Sequence, residues 1–455
     1  MNRFLYRKVN IYPLILFRVL FGLVTCISSI RFLLLGWVEE QYLKPVFHFS
    51  YWGFSWVHVL PAPGMYLIFI VMILTSLAIM VGLYYRISTV LFFLAFTYVE
   101  LIDKTYYLNH YYFVSLVAFL MCFLPANRNF SIDVLRNPDI LKEDFSAWAI
   151  NILKFQISCV YFFAGIAKIN FSWLVEAMPL KLWLPAQSDF PFIGYIFTKV
   201  LVVYVFAWVG MAYDLFIPFL LLYRRTRLPA YIFLLIFHGI TGYFFQIGVF
   251  PLVMSLCTLI FFSENFHKKV ISVFRNSLNL REIKQNPQLT TPNSQLTTEL
   301  QLTTHNAQLT TILISIYISI QLLLPFRYLL YPGNLLWTEN GYRFSWRVML
   351  VEKAGTATFR IKNNLNGSEF DVDNSQYLNQ HQEKQMSFQP DMMLQYAHYL
   401  GNTFEATGMK DISIYCECYV TMNGKPSQLI IDPETDLLKV KDNLLNSNGI
   451  LDYKY

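Results

Sequence analysis

Charged residues are scarce in this sequence, and that scarcity is its most informative feature. Only 14% of the 455 residues are charged, against 55% that are hydrophobic, whereas a soluble domain carries nearer a quarter charged residues. The composition therefore excludes an ordinary soluble enzyme and predicts a polytopic membrane protein. The net charge of +6 comes from basic residues in loops, as membrane topology requires, and predicts no nucleic-acid partner.

Cysteine is rare as well. The six cysteines form no disulfide framework, and four of them lie in apolar runs where cysteine is a small core residue. Cys416 and Cys418 form a C-x-C pair, but no second Cys/His cluster with metal-ligand spacing accompanies it. The sequence therefore predicts no metal site.

Long apolar runs take the place of charge. A transmembrane helix needs about 20 apolar residues, and nine segments are candidates: 11–36, 65–83, 87–102, 110–125, 147–169, 198–222, 229–247, 249–263 and 312–330. Arg18 interrupts the first run and no cleavage site follows it, so we interpret it as a retained span rather than a signal peptide. With a cytoplasmic N-terminus, nine crossings place the basic clusters together on the cytoplasmic side.

Two further segments complete the predicted organisation. After a bundle of residues 1–284, the word QLTT recurs at 288, 295, 301 and 308, which predicts a disordered cytoplasmic linker over 285–311 before the ninth helix, 312–330. Residues 331–455 contain stretches of alternating apolar and polar residues, namely RFSWRVMLV, ATFRIKN, ISIYCECYVTMNG and SQLIID, which are typical of strands. The Asn423–Gly424 pair predicts a hairpin turn. The apolar periodicity of residues 388–406 predicts an amphipathic helix.

The predicted fold class is therefore a polytopic α-helical membrane bundle of about nine transmembrane helices, followed by a small β-rich α+β extracytoplasmic domain. Ionisable residues inside the predicted spans become functional candidates, because an isolated charge in hydrocarbon is unfavourable.

Lys168 is the first candidate, near the predicted outer end of the fifth span. One interpretation is a lysine that extends to water at the membrane surface. The other is a buried amine that acts as a base, because burial penalises the ammonium form. His110 is the second candidate, and topology predicts it on the same side as Lys168. Spacing alone leaves both alternatives open.

Three other polar residues favour structural roles. His238 is expected to be a satisfied polar group inside the bundle. Arg18 and Asp214 each lie several residues inside a span, counted from the cytoplasmic edge, and are expected to form a buried ion pair that joins spans one and six.

Seven motifs in order resemble the vitamin K-dependent γ-carboxylase family and its horizontally transferred transmembrane (HTTM) domain. They are FRVLFG (17–22), GLYYRIS (82–88), DKTYYLNH (103–110), YFFAGIAKINFSW (161–173), FH with IGVF (237–250), WTENGYRFSW (337–346) and IIDP (430–433). Together they extend over nearly the whole chain. The QLTT linker and the lack of a disulfide pattern suggest a bacterial homologue.

The resemblance implies an activity and assigns roles. The family oxidises vitamin K hydroquinone (phylloquinol or menaquinol) with O2 to the 2,3-epoxide and adds CO2 to a peptidyl glutamate, without a metal. The resemblance implies that Lys168 is the base that deprotonates the hydroquinone and that His110 serves the carboxylation half. It further implies a quinone-binding set of Asn109, Tyr342, Trp346 and Met349.

The implied partners are a glutamate-containing peptide or protein, membrane lipid with its quinone, and a possible quinone reductase. The implied location is a bacterial inner membrane, or the endoplasmic reticulum in a eukaryote, with an extracytoplasmic C-terminal domain. Two rival functions stay open: a quinol epoxidase or oxidase without carboxylation, and a non-enzymatic lipid-binding or transport protein.

Overall fold

A computed structural model of the chain describes residues 5–245, 247–277, 296–441 and 449–454, with the side chains of 296–306 outside the description. A bundle of apolar helices comes first and a small domain with an antiparallel sheet follows it. This arrangement confirms the predicted fold class.

The helices of the bundle are α1 Tyr12–Leu34, α2 Ala62–Val81, α3 Tyr85–Ile102, α4 Asn109–Met121, α5 Trp148–Ala167, α6 Val200–Leu222, α7 Arg227–Phe245, α8 Phe250–Thr258, α9 Glu264–Ser277 and α10 Leu296–Leu323. Within the described residues, seven helices are long and apolar enough to cross a membrane. Helix α8 continues as a turn to Phe261, and α9 follows at an angle of 116°. If these two pieces count as one bent span, the number of spans is eight. Length and composition thus give seven or eight spans rather than nine.

The fourth predicted span, residues 110–125, is one of three short ones. It forms α4, whose 13 residues cover only about 20 Å. Helix α4 returns along α3, because the hydroxyl of Tyr85 at the start of α3 donates a 2.9 Å hydrogen bond to the carbonyl of Met121 at the end of α4. Phe113 and Val117 are fully buried, so neighbouring helices surround α4.

The expected linker differs from the structure in its second half. Residues 285–295 lie outside the described residues, but α10 already begins at Leu296 instead of residue 312. Leu302 and Leu309 are seven residues apart, which is close to two helical turns. The repeat spacing that we interpreted as a linker is therefore compatible with a helix.

Two short strands, β1 Lys8–Asn10 and β2 Asp144–Ser146, pair in an antiparallel ribbon. The ribbon joins the residues before α1 to those before α5, so it fixes both helices at the same end of the bundle.

Helix α5 ends against the middle of α6 rather than beside its beginning. A Cβ atom at Gly165 would lie 2.5 Å from the amide nitrogen of Leu215 in α6, so only glycine permits this close approach. Leu215 lies about 22 Å along α6 from Val200. The last turn of α5 is therefore far from the first turn of α6.

The chain after α5 packs along the free part of α6. It contains two short helices, Phe171–Leu174 and Leu180–Trp183. The indole of Trp173 donates a 2.8 Å hydrogen bond to the carbonyl of Ala207, and the hydroxyl of Tyr204 donates one of 2.7 Å to the carbonyl of Val175. This segment covers the end of α5 and encloses the residues that follow it.

The C-terminal domain is a four-stranded antiparallel sheet with helices on one face. Its strands, β3 Lys353–Asn363, β4 Glu369–Asp371, β5 Ile412–Met422 and β6 Gln428–Leu429, lie in the order β4-β3-β5-β6. Helix α11, Gln380–Met386, and helix α12, Pro390–Ala406, follow β4. Asn423 and Gly424 both have positive φ, which confirms the predicted hairpin turn between β5 and β6.

One predicted strand is wrong. Residues 343–351 alternate apolar and polar side chains but form turns, with positive φ at Phe344, Trp346 and Met349. Such residues rarely adopt positive φ, so tertiary contacts hold the segment. The indole of Trp346 stacks on Tyr112 of α4 at 4.9 Å, and this contact directs the segment into the bundle.

The loop between α3 and α4 contacts the C-terminal domain, which is formed by β3 to β6, α11 and α12 and is named the outer domain here because it lies outside the helix bundle. Asp103 accepts a 2.7 Å hydrogen bond from Gln382 of α11, and the Tyr106 ring stacks on His381 at 4.6 Å. Lys104 forms a 2.8 Å ion pair with Asp391 at the start of α12. The DKTYYLNH motif therefore docks the domain through Asp103, Lys104 and Tyr106, and it ends with His110 in the first turn of α4.

Candidate active site

Lys168 follows the last residue of α5 and forms an ion pair with Asp214. Its Nζ lies 2.7 Å from Oδ2 of Asp214 and 3.3 Å from the carbonyl oxygen of Ala164. The two side chains are only 8% and 11% exposed. The amine thus binds a partner inside the protein and does not extend to the surface.

Gly165 explains why this pair forms. Because Gly165 lets α5 touch the backbone of α6 at Leu215, the lysine three residues later meets the carboxylate beside that contact. The A-G-x-x-K spacing therefore has a geometric role. The glycine sets the distance between α5 and α6, and this distance lets the lysine pair with Asp214.

The pair faces an aromatic cavity of about 90 Å³. One water needs about 10–15 Å³ on this kind of measure, so the space suits a flat group of several heavy atoms. The Lys168 Nζ lies 5.3 Å from the Trp173 ring centroid. The remaining lining is mostly aromatic and aliphatic: Val160, Tyr161, Ala164, Leu180, Phe206, Gly210, Phe237, His238, Thr241, Phe245, Ile247, Phe250, Val348 and Met349.

His238 belongs to this cavity, although we predicted only a structural role. Its Nε2 lies 2.8 Å from the hydroxyl of Tyr161, which is two turns before Lys168 on α5. His238 is 4% exposed. The lining of the cavity thus contains two polar pairs, Lys168–Asp214 and His238–Tyr161.

His110 lies in a different cavity. It is 7% exposed and lines a space of about 50 Å³ together with Glu100 and Tyr111. Its ring centroid lies 5.8 Å from that of Phe250, which lines the Lys168 cavity. Lys168 and His110 therefore do not share one pocket, and Phe250 lies where the two cavities approach each other.

The expected quinone-binding residues separate into two groups. Met349 lines the Lys168 cavity, whereas Asn109, Tyr342 and Trp346 do not. Asn109 donates a 2.7 Å hydrogen bond to the carbonyl of Arg347 and accepts one of 3.1 Å from the hydroxyl of Tyr107. Asn109 thus anchors the turn segment 343–351, which contributes Met349 to the cavity lining.

The expected ion pair between Arg18 and Asp214 is wrong, because Asp214 pairs with Lys168. Arg18 is fully buried and donates hydrogen bonds to the carbonyls of Ala126 and Phe130. A Cβ at Gly82 would lie 2.3 Å from its guanidinium. Arg18 therefore holds the 126–130 loop, and the glycine of the GLYYRIS motif makes room for it.

Sequence reasoning also missed Glu100, the only acidic residue of α3. Its signal was available, since a lone acid in an apolar helix is unusual. Asp214 is likewise the only acidic residue of α6. We assigned it the wrong partner because we placed Lys168 near the outer membrane surface, whereas α5 ends opposite the middle of α6.

A larger cavity, about 310 Å³, lies where the outer domain meets the bundle. Charged residues line it: Lys104, Arg327, Glu339, Arg343 and Asp391. Arg343 and Lys104 both bind Oδ2 of Asp391, at 2.9 and 2.8 Å. Burial opposes the charged form of Asp391, but these two cations outweigh it and hold the pKa of the carboxyl well below its usual range.

Within the described residues, no group of three or more His, Cys, Asp or Glu side chains is arranged to hold a metal ion. The six cysteines are free.

Two family models match the chain in order. Residues 6–266 match the HTTM domain, and residues 306–454 match the lumenal domain of vitamin K-dependent gamma-carboxylase. No solved structure matches the chain significantly. The first match covers α1 to α8, and the second covers most of α10, the outer domain and the turn segment 343–351.

Proposed function

The chain belongs to the vitamin K-dependent γ-carboxylase family, and from this premise we propose that it couples two reactions. One is the oxidation of vitamin K hydroquinone by O2 to the 2,3-epoxide, which supplies the strong base. The other is the addition of CO2 to the γ-carbon of a peptidyl glutamate. Family membership supports a carboxylase-type function, and the coupling is our proposal.

The buried Lys168–Asp214 pair at the wall of an aromatic cavity is the observation that carries this proposal. An aromatic cavity suits a flat, membrane-soluble headgroup. A proton acceptor at its wall is required to start the chemistry, because a hydroquinone must lose a proton before it reacts readily with O2. Lys168 is the amine at that wall.

Asp214 gives Lys168 a way to act as a base without an isolated charge. An ammonium–carboxylate pair and an amine–carboxylic acid pair differ only in the position of one proton, and both are neutral overall. In the second arrangement the amine has a free electron pair and can accept the proton of the substrate hydroxyl. The resulting positive charge lies beside the negative charge left on the substrate oxygen, which stabilises both.

His110 and the outer cavity support the second reaction. His110 contacts Phe250 on the border of the Lys168 cavity, so a base produced in one cavity arises next to the other. We propose that the glutamate peptide approaches from the cavity under the outer domain, where Lys104, Arg327 and Arg343 attract carboxylates. Exclusion of water by the domain protects the base and the carbanion.

The proposal includes a topology. The N-terminus is cytoplasmic and the C-terminal domain is extracytoplasmic, so peptide substrates arrive from outside the cytoplasm. A quinone reductase must regenerate the hydroquinone, because each carboxylation consumes one reduced quinone.

The test uses the purified protein in lipid nanodiscs with vitamin K hydroquinone, O2, labelled CO2 and a glutamate-rich peptide. Epoxide and fixed label are measured together. We expect both products from the wild type, and a loss of both by about 100-fold or more in Lys168→Ala, as for removal of a positioned base. Lys154→Ala is the matched control, since Lys154 lies on the same helix near Phe261.

The two products separate the alternatives. Epoxide without fixed label would favour a quinol epoxidase. Neither product from the wild type, with a folded protein, would favour a lipid-binding or transport function. Full activity in Lys168→Ala would overturn the assignment of the base.

A further inference from the structure

His238 has one ring nitrogen without a partner, and this nitrogen is buried. Its Nε2 is 2.8 Å from the Tyr161 hydroxyl, but its Nδ1 has no hydrogen-bond partner among the described residues. A buried polar atom without a partner is unfavourable. Since His238 lines the Lys168 cavity, an atom of a bound ligand is the natural partner for Nδ1.

We propose that His238 binds the second oxygen of the quinol headgroup, the one opposite the oxygen that Lys168 deprotonates. The proposal rests on the proposed function, because it assigns a further substrate contact in the same cavity. It replaces the structural role that the sequence suggested for this histidine.

The placement of the two polar pairs fits a ligand with an oxygen at each end. Tyr161 on α5 and Lys168 at its end are seven residues apart, so their backbones lie on the same helix face about 10 Å apart along the helix axis. Tyr161 holds His238, and Asp214 holds Lys168. The cavity is thus polar at two separated points and aromatic between them.

The described groups around His238 give its Nδ1 no hydrogen-bond partner. The neighbouring rings are Phe237 at 5.9 Å, Phe250 at 6.0 Å and Tyr213 at 6.3 Å. The titratable groups on the packed helices include Tyr161, Tyr213, Cys257, Lys168 and Asp214, and the last two are paired with each other. The described groups around His238 thus leave Nδ1 without a hydrogen-bond partner, in a residue that lines the cavity.

The Tyr161 hydroxyl can donate to Nε2 or accept from it. In the first case Nδ1 carries the hydrogen and donates to a carbonyl oxygen, and in the second it accepts the hydroxyl of the quinol. His238 can therefore hold the headgroup before and after oxidation by an exchange of tautomer. Asparagine or glutamine would need to rotate to do the same.

The test measures binding without turnover, through the fluorescence of the protein on titration with two probes. The probes are 2-methyl-1,4-naphthoquinone and 2-methyl-1-naphthol, which lacks the second oxygen. We expect His238→Ala to weaken quinone binding about tenfold, the upper range for one hydrogen bond. Loss of the second oxygen should weaken binding by a similar factor in the wild type and by less than about twofold in His238→Ala.

Two control variants separate ligand contact from folding. His267→Ala removes another buried histidine with an unpartnered nitrogen, Nε2, and His267 does not line the Lys168 cavity. We expect unchanged quinone affinity in this variant. Tyr161→Phe should weaken quinone binding less than His238→Ala, because it frees the imidazole without removing it. In the coupled assay, His238→Ala should raise KM for the quinol more than it lowers kcat.

Each result decides between the two proposals. If the wild type turns over quinol but His238→Ala binds quinone within twofold of the wild type, this inference is overturned and the proposed function stands. Additive effects of the variant and the missing oxygen would also overturn it. If the folded wild type binds neither probe and forms no epoxide, both proposals are overturned.

Discussion

His110 and His238 contact the same phenyl ring. The ring of Phe250 lies 5.8 Å from the imidazole of His110 and 6.0 Å from that of His238, between centroids. Phe250 also begins α8 and lines the Lys168 cavity. One side chain therefore stands on the border between the site proposed for quinol oxidation and the site proposed for carboxylation.

Phe250→Ala is expected to uncouple the two reactions. Removal of the ring would join the cavities, admit water and let the reacting groups shift, and a shift of about 1 Å can lower a rate up to a hundredfold. We expect epoxide formation to persist while the ratio of fixed CO2 to epoxide falls roughly tenfold or more. The measurement is both products from one reaction mixture.

The control for Phe250→Ala is Phe216→Ala, which removes an exposed phenylalanine of α6. Its product ratio should equal that of the wild type. A Phe250→Ala enzyme that loses both products in equal proportion would contradict the border role and indicate a general loss of packing.

The Lys168–Asp214 pair predicts a characteristic pattern of stability. Removal of one partner from a buried pair typically costs 3–5 kcal/mol, whereas replacement of both by apolar residues is often neutral. We expect Lys168→Met and Asp214→Leu each to lower the Tm in nanodiscs, and the double variant to recover most of the loss. All three should be inactive toward quinol. Additive losses in the double variant would show that the pair does not interact.

Gly165→Ala is expected to separate α5 from α6. The new Cβ would lie 2.5 Å from the Leu215 amide nitrogen, and such overpacking typically costs 1–3 kcal/mol. Because the contact sets the Lys168–Asp214 distance, quinol oxidation should fall together with the Tm. Gly239→Ala in α7 is the matched control, because no atom lies within 4 Å of its added Cβ. Equal effects of the two variants would refute this explanation of the A-G-x-x-K motif.

Docking of the outer domain is expected to depend on pH through Asp391. Lys104 and Arg343 overcome the effect of burial and lower the pKa of Asp391 from its usual 3.8. A lowered pKa means that the carboxylate contributes its stabilisation above about pH 3.8 and loses it as the pH falls below that value toward the folded pKa. Asp391→Asn should therefore loosen docking at pH 7, with a smaller difference from the wild type in strong acid.

Hydrogen exchange over residues 380–395 measures this docking. Asp373→Asn serves as the control, because Asp373 accepts hydrogen bonds from its own loop at Ser375 and Gln376. Exchange that is faster in Asp391→Asn than in the wild type at pH 7, but not in strong acid, would agree with the prediction. An equal effect at every pH would mean that the charge of Asp391 is not what holds the domain.

Hydropathy and alternation predicted most elements, because burial in lipid or in a sheet leaves a periodic pattern of side chains. The depth of Lys168 could not be predicted in this way. It depends on where α5 ends relative to α6, and that is set by the contact at Gly165 and by the segment around Trp173. Neither feature changes the hydropathy of the run that ends at Ala167.

The sequence predicted the polar residues of the site, but it did not predict that they lie in two separate cavities. Lys168, His110 and His238 stand out as polar residues in apolar surroundings, and the motifs assign roles to two of them. The border at Phe250 gave no signal, since one phenylalanine among 41 has no distinguishing pattern. The segment at 343–351 failed as a strand because contacts such as Trp346 with Tyr112 override local alternation.

The eight residues from Asp103 to His110 have a mechanical consequence. Asp103 and Lys104 grip the outer domain, and Asn109 holds the carbonyl of Arg347 at 2.7 Å. His110 is the next residue in the chain, so the segment 103–110 connects the domain to the imidazole through a short run of residues that bond to the domain and to the turn segment. A displacement of the domain relative to the bundle would therefore act on His110 through these bonds.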